Sequence, residues 1–134
     1  MSRDWLEYLD NPEAVLSLFK EVPLLDQPEI IGVELSRDGP QCSIALSLSA
    51  YPTVPPARWI RQKANAIALT IELTGVVEIS ILGWSTVNCV AVSFSRNGDQ
   101  KLLVQAMGPT TRIEILCGWA RVAKLNPYLR ALSS

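Results

Sequence analysis

The chain has 134 residues, of which 49% are hydrophobic and 19% are charged. This length and composition are typical of a soluble globular protein, and we expect one domain over residues 1–134. Twelve Lys and Arg against 13 Asp and Glu leave the net charge near zero, which argues against a strongly basic nucleic-acid-binding protein. Because histidine is absent, His-dependent triads, His general bases and His-containing metal sites are excluded.

Two short helices are predicted at the N-terminus, over residues 3–10 and 12–21. The apolar residues of the first stretch recur at helical spacing. Asn11 as the N-terminal cap, followed by Pro12 at the first helical position, is typical of a helix start. A proline there lacks an N–H that the helix could not have used. Pro23 ends the second helix, since the residue before a proline is disfavoured in the α conformation.

From Ile30 onward apolar and polar residues alternate, which predicts strands with one buried face. Asp38-Gly39, Asn97-Gly98 and Gly108-Pro109 are typical of tight turns between such strands. Tight turns require antiparallel neighbours, because parallel strands need long crossovers. The residues predicted to face the core are Ile31, Val33, Leu35, Cys42, Ile44, Leu46, Leu48, Ile67, Leu69, Ile71, Leu73, Val77, Ile79, Ile81, Val90, Val92, Phe94, Ile113, Ile115 and Cys117.

The predicted fold is therefore α+β, with a mostly antiparallel sheet of about six to eight strands and short N-terminal helices packed on it. Gly118 is expected to bulge or turn the chain before a further strand at about 119–125. Asn126-Pro127 repeats the pattern of a helix start. It predicts a short C-terminal helix that includes Tyr128.

Three cysteines, Cys42, Cys89 and Cys117, lie far apart in apolar runs, and no C-x-x-C pair is present. This spacing offers no zinc or iron–sulfur ligand set, so we expect no metal and no cofactor. We expect three buried, reduced thiols, which agrees with a cytoplasmic location. The N-terminus does not resemble a signal peptide, and no apolar run approaches the roughly 18 residues of a membrane span.

Three glutamates on polar strand faces are the candidates for acid–base chemistry: Glu72, Glu78 and Glu114. A His-free enzyme could use two of them as a pair. Their spacing brings no two of them together, and solvated strand faces commonly carry glutamate. No catalytic residue is therefore assigned, although an enzyme of this kind stays open as a third function.

The long connection at 50–65 contains the strongest candidate for partner binding. Prolines exclude its first half from a sheet. Its second half interleaves three cations with an aromatic residue, and the predicted partner-binding residues are Arg58, Trp59, Arg61 and Lys63. Tryptophan and arginine dominate binding hot spots, and long loops often carry function. The plainer interpretation, in which Trp59 fills the sheet edge and the cations are solvated, also stays open.

Charge is distributed unevenly along the chain. Residues 1–38 have nine acids and three bases, a net of −6, whereas residues 39–134 have four acids and nine bases, a net of +5. An acidic helical surface could steer a basic partner toward it. An ordinary solvated helix face explains the same pattern.

A series of landmarks extends over roughly residues 5–128. It consists of an N-terminal Trp helix, a Pro…Arg-Trp…Asn loop, a strand, Leu82-Gly83-Trp84, and Cys117-Gly118-Trp119-Ala120. In this order the landmarks resemble the bacterial immunity protein 50 family, which is associated with polymorphic toxin systems. The resemblance implies a cytoplasmic α+β protein that neutralises a co-encoded toxin by binding it, without catalysis. The family's Trp and Asn positions correspond to Trp5, Trp59 and Asn65, with no catalytic role attached to them.

The expected partner is therefore a cognate toxin protein, and we expect no nucleic acid, membrane or metal as a partner. The alternative function is a small adaptor or chaperone-like subunit of another bacterial complex. A toxin gene next to the gene for this chain would favour the immunity function over this alternative and over the enzyme.

Overall fold

Eight β-strands make up most of the computed structural model, which describes residues 4–17, 19, 25, 28–48, 55–85 and 87–128. The strands are β1 (Glu29–Ser36), β2 (Gln41–Leu48), β3 (Ala66–Thr74), β4 (Glu78–Leu82), β5 (Ala91–Arg96), β6 (Leu102–Met107), β7 (Arg112–Cys117) and β8 (Trp119–Tyr128). The helices in the described ranges are a 3-10 helix at Asp4–Tyr8, α1 (Glu13–Leu16) and α2 (Ala57–Arg61). None of these helices has the length and hydrophobicity needed to span a bilayer.

The strands form two four-stranded sheets, in the orders β1-β2-β3-β8 and β4-β7-β6-β5, and the paired strands run antiparallel. The antiparallel prediction is confirmed, but the prediction of one sheet covered by helices is wrong. Inward-facing residues of both sheets join one hydrophobic core. Alternation specifies one buried face per strand without specifying what covers it. Helices of about one turn each provide too little apolar surface for that role, so a second sheet provides it.

The chain passes between the sheets at two neighbouring points. β3 leads into β4 through Gly75, and β7 leads into β8 through Gly118. The Gly118 N–H donates to the carbonyl oxygen of Thr74 at 3.0 Å, which ties the two crossings together. Gly75 has a φ of +66°, and the indole of Trp119 lies against it. Because a side chain at that φ would be strained, glycine is needed at this corner.

The N-terminal segment covers the first part of the edge of β8. Leu9 forms a parallel bridge with Ala120, and the Asp10 N–H donates to the Ala120 carbonyl oxygen at 2.8 Å. The Asn11 side chain then acts like a peptide group, since its Nδ2 donates to the carbonyl of Val122 and its Oδ1 accepts from the Val122 N–H, both at 2.9 Å. Asn11 therefore extends the sheet, and its predicted role as a helix cap is wrong because α1 has no side-chain cap bond.

Aromatic packing holds the 3-10 helix against β5. Trp5 and Tyr8 stack on Phe94 with ring centroids 6.5 and 6.0 Å apart. The Arg96 guanidinium lies 5.9 Å from the centroid of the Tyr8 ring. The prediction that N-terminal helical residues pack on a sheet is confirmed for these contacts. The helix predicted over residues 12–21 corresponds to α1, which ends at Leu16 and is therefore shorter than predicted. Much of 18–27 lies outside the described residues.

The starts of β1 and β5 lie side by side and join the edges of the two sheets. The Ile30 N–H donates to the Asn88 carbonyl at 2.9 Å, and the Val90 N–H donates to the Pro28 carbonyl at 3.0 Å. Farther along β1, a register shift makes Ile31 the extra residue of a bulge. Ile31 is consequently exposed, and its predicted inward orientation is wrong.

The predicted C-terminal helix is wrong where it can be compared, because β8 continues through Asn126 and Pro127 to Tyr128. β8 is the last strand of its sheet, and an edge strand tolerates proline, which has no N–H to donate. The remainder of that predicted helix, 129–134, lies outside the described residues. Gly118 turns the chain into a further strand, as predicted.

Cys42 and Cys117 are buried, whereas Cys89 is exposed, so the prediction of three buried thiols is wrong for Cys89. Its neighbours Asn88 and Val90 are the residues that face inward at this point. Burial raises the pKa of both the Cys42 and the Cys117 thiol to about 11. Since the thiolate is the reactive form, these two thiols should be inert in the folded chain.

Two substitutions on inner faces should differ sharply in their effect on stability. Leu69 is 1% exposed, so Leu69→Asp should unfold the domain, because an unpaired buried carboxylate costs several kcal/mol against a total of about 5–15 kcal/mol. Ile79 is 38% exposed on the edge strand β4, and Ile79→Asp should reduce the free energy of unfolding by only about 1–2 kcal/mol. Urea denaturation followed by circular dichroism measures both. Equal losses would contradict the edge position of β4.

A thiol reagent at pH 8 should modify Cys89 quickly and reach Cys42 and Cys117 only after denaturation. The reason is that Cys89 is exposed while the other two thiols are buried and protonated. A time course with Ellman's reagent counts the fast-reacting thiols, and Cys89→Ser is the control that should have none. A fast phase that remains in Cys89→Ser would show that a buried thiol becomes accessible in the native state.

Candidate interaction surface

Local backbone bonds define α2, which carries three of the four predicted partner-binding residues and is followed by the fourth, Lys63. The helix begins directly after Pro56, whose φ of −56° and ψ of 146° place it outside the helix. It ends in a Schellman motif, in which the Lys63 N–H donates to Ile60 O at 3.0 Å and the Ala64 N–H donates to Trp59 O at 3.2 Å. Lys63 takes the left-handed position of this motif with a φ of 57°, where glycine is usual.

Trp59 is the inward-facing residue of α2. Its side chain is 2% exposed and belongs to the hydrophobic core. The indole therefore anchors the one-turn helix on the sheets and does not reach the surface of the unbound chain. This burial agrees with the plainer interpretation of Trp59 as a filler and removes it from the residues that a partner could touch directly.

The two arginines of α2 and Lys63 after it face solvent. Arg58, Arg61 and Lys63 are exposed, and Ile60 between them is more than half exposed. Arg58 and Arg61 are three residues apart, which places them on one face of the helix. In the described ranges none of the three cations has an ion-pair partner. We call Arg58, Ile60, Arg61 and Lys63 the α2 surface.

An acidic surface lies at the opposite end of the first sheet. Its exposed carboxylates are Glu7, Asp10 and Glu13. Asp10 is bonded to Ala120 near the start of β8, whereas Asn65, which follows α2, donates its N–H to Tyr128 O at the end of β8 (3.1 Å). Eight residues of strand separate these points, roughly 26 Å. These three carboxylates therefore lie about one strand length from α2, in a region that also contains the exposed Arg96 and Arg121.

β4 is an exposed, apolar strand at the edge of the second sheet. Among the described strands it pairs with β7 alone, and all five of its residues are exposed. We define the β4 edge by its exposed apolar residues, Val77, Ile79, Ile81, Leu82 and Trp84. Sequence alternation missed this surface, because the pattern is the same for a central strand and for an edge strand.

The three glutamates weighed as catalytic candidates are divided between the sheets. Glu72 lies on the first sheet, 3.5 Å from the Arg121 guanidinium. Glu78 and Glu114 line one open groove of the second sheet, where Gln105 Nε2 donates to Glu114 Oε2 at 3.4 Å. The structure thus brings two of the three together, which the spacing did not predict.

That groove gives neither glutamate a defined chemical role. Glu78 is exposed and Glu114 is half-buried, so both side chains can reach solvent. General acid–base chemistry requires a carboxyl group positioned against a bound substrate. Within the described part of the chain, no group of three Cys, Asp or Glu side chains could hold a metal ion.

The chain matches the family model described as Immunity protein 50 over residues 11–128. No curated protein and no solved structure matches it. The matched range contains α1, α2 and all eight strands of the two sheets, and with them both the α2 surface and the β4 edge. Since the match covers most of the 134 residues, the resemblance drawn from the sequence landmarks is confirmed: the chain belongs to the immunity protein 50 family.

Proposed function

We propose that this protein neutralises a toxin of a bacterial polymorphic toxin system by binding it directly, without catalysis. The observation that carries the proposal is the family match over residues 11–128. Neutralisation by binding needs a stable surface rather than a reaction centre. It has to hold while the toxin is inside the producing cell, which requires a Kd near or below about 1 nM, or −12 kcal/mol.

The α2 surface is the proposed centre of the toxin interface. It presents two guanidinium groups on one helical face with the apolar Ile60 beside them. Arginine binds carboxylates through paired hydrogen bonds, so the matching toxin surface would be acidic around an apolar contact. The buried Trp59 holds the short helix in place before binding, which reduces the ordering cost of association.

The backbone at Lys63 adds support for a role of this cation. A non-glycine residue in the left-handed region costs on the order of 1 kcal/mol, and such conformations cluster at functional sites. Glycine would satisfy the Schellman motif without that cost. A lysine at this position extends the row of cations beyond the last turn of α2.

Replacing both arginines, Arg58→Ala with Arg61→Ala, should weaken toxin binding at least tenfold, about 1.4 kcal/mol, without changing the melting temperature. The side chains are exposed, so their loss removes partner contacts and little of the fold. Isothermal titration with the toxin encoded beside this gene measures the affinity. Arg37→Ala, which removes an exposed arginine from the turn between β1 and β2, is the matched control.

Two further variants separate binding from folding. Lys63→Gly should preserve or raise the melting temperature while it weakens binding, and Gln100→Gly, at another left-handed position with a φ of 63°, should leave binding unchanged. Trp59→Ala should cost about 3–5 kcal/mol of stability, so any loss of protection in that variant reports unfolding.

The outcomes test different parts of the proposal. Unchanged affinity in the double arginine variant would remove the α2 surface from the interface. Survival of toxin-expressing cells that lack this protein would remove the immunity role itself.

A further inference from the structure

We propose that β4 pairs antiparallel with β4 of a second copy of this chain, so that the two second sheets join into one eight-stranded sheet. The proposal concerns a different surface from α2 and does not rest on the immunity function.

The other sheet edges among the described residues are covered or interrupted. The N-terminal segment covers the first part of β8, and the rest of that strand carries Lys124 and Pro127. The starts of β1 and β5 are bonded to residues that flank the other strand. The rest of β1 has a bulge after Ile30 and carries the exposed Glu34. Charges, prolines and bulges are the devices by which natural proteins keep sheet edges from pairing. β4 has no proline and no bulge, and its one charged residue, Glu78, lies at its first position rather than in its middle.

The sequence of β4, Glu-Ile-Ser-Ile-Leu, is complementary to itself about its central residue. When Ser80 lies opposite Ser80 of the second copy, Ile79 lies opposite Ile81, and Glu78 lies opposite Leu82. All five residues are then paired, and every side chain stays on its own face of the sheet. A strand that serves both copies in the same way is what a two-fold interface requires.

The inner face of the joined sheet would carry rows of isoleucine. In each copy Ile79 is paired with Ile115 and Ile81 with Ile113 across β4 and β7. The two-fold register places Ile79 beside Ile81 of the second copy, so each row has four isoleucines. β-branched cross-strand pairs stabilise sheets, and this pairing covers the two isoleucines that the isolated chain leaves more than a third exposed.

Charge on the outer face favours this register. Leu82 is paired with Arg112 on β7, so Glu78 of one copy lies two strand spacings, about 10 Å between Cα atoms, from Arg112 of the other. The combined reach of a glutamate and an arginine spans that distance. If Ile79 instead lay opposite Ile79, Glu78 would face Ser80 and approach Glu114 of the second copy, since Ser80 is paired with Glu114. That register brings like charges together.

The interface is short, which determines how strong the dimer should be. Five strand residues with flanking Val77 and Trp84 make a smaller contact than the standard interface of about 1,600 Å². We therefore expect a reversible dimer with a Kd in the micromolar range, roughly 1–100 µM.

Sedimentation equilibrium of the full chain, from about 1 µM to about 500 µM, tests the proposal. The parent should show a concentration-dependent monomer–dimer equilibrium. Ser80→Lys should raise the dissociation constant at least tenfold, because it places two ammonium groups opposite each other on the two-fold axis. Ser80→Glu should do the same, and an equimolar mixture of the two variants should recover the dimer.

Ser93→Lys is the matched control, since Ser93 is an exposed residue on β5 at the other edge of the same sheet, and it should dimerise like the parent. Thermal melts confirm that each variant is folded. A parent that is monomeric throughout the range overturns the proposal, as does a dimer that persists in Ser80→Lys or a mixture that stays monomeric. If the parent is monomeric and Ser80→Lys lowers the affinity for the toxin, the dimer proposal is also overturned, because β4 then belongs to the toxin interface.

Discussion

The packing of the two sheets depends on the corner at Gly75 and Gly118, where two neighbouring strands change sheet side by side. Their pairing continues across it, because the Gly118 N–H reaches Thr74 O at 3.0 Å and the Val77 N–H reaches Leu116 O at 2.7 Å. Since both strands turn together, backbone bonds are kept while the inner faces come to enclose one core. β2 pairs with β3 only as far as Gln41 opposite Thr74 and does not continue past the corner, so β4 pairs with β7 on one side and is the terminal strand of its sheet.

The two proposed contacts are compatible with each other in this architecture. α2 leads into Ala66 at the start of β3, whereas the corner follows Thr74 at the end of that strand. Nine residues of extended chain, about 30 Å, separate them along the first sheet. A dimer through β4 joins the second sheets edge to edge, and each copy would retain its own α2 surface for a toxin molecule.

The four tryptophans of the chain divide into two groups. Trp5 and Trp59 are buried and attach short helical segments to the sheets, whereas Trp84 and Trp119 are more than half exposed. Trp119 lies against Gly75 at the corner, and Trp84 follows the end of β4. A large indole stabilises a one-turn helix through burial, because such a helix has too few backbone bonds to be stable alone. Landmark residues that are equally visible in a sequence can therefore have structural roles or surface roles.

The alternation of apolar and polar residues and the residue types of turns are local properties. The sequence by itself therefore determined the features of the fold that depend only on neighbouring residues. The inner faces of β2 and β3, the hairpins at Asp38-Gly39 and Asn97-Gly98, and the cationic row around Trp59 could all be predicted from neighbouring residues. Family membership could likewise be recognised from landmarks in order. Only the tertiary structure decided that a second sheet covers the first, that Pro127 continues an edge strand, that Trp59 is buried and that β4 is exposed. Each of these depends on which distant strand supplies the hydrogen bonds and the covering side chains, and a period of two residues is the same for every such partner.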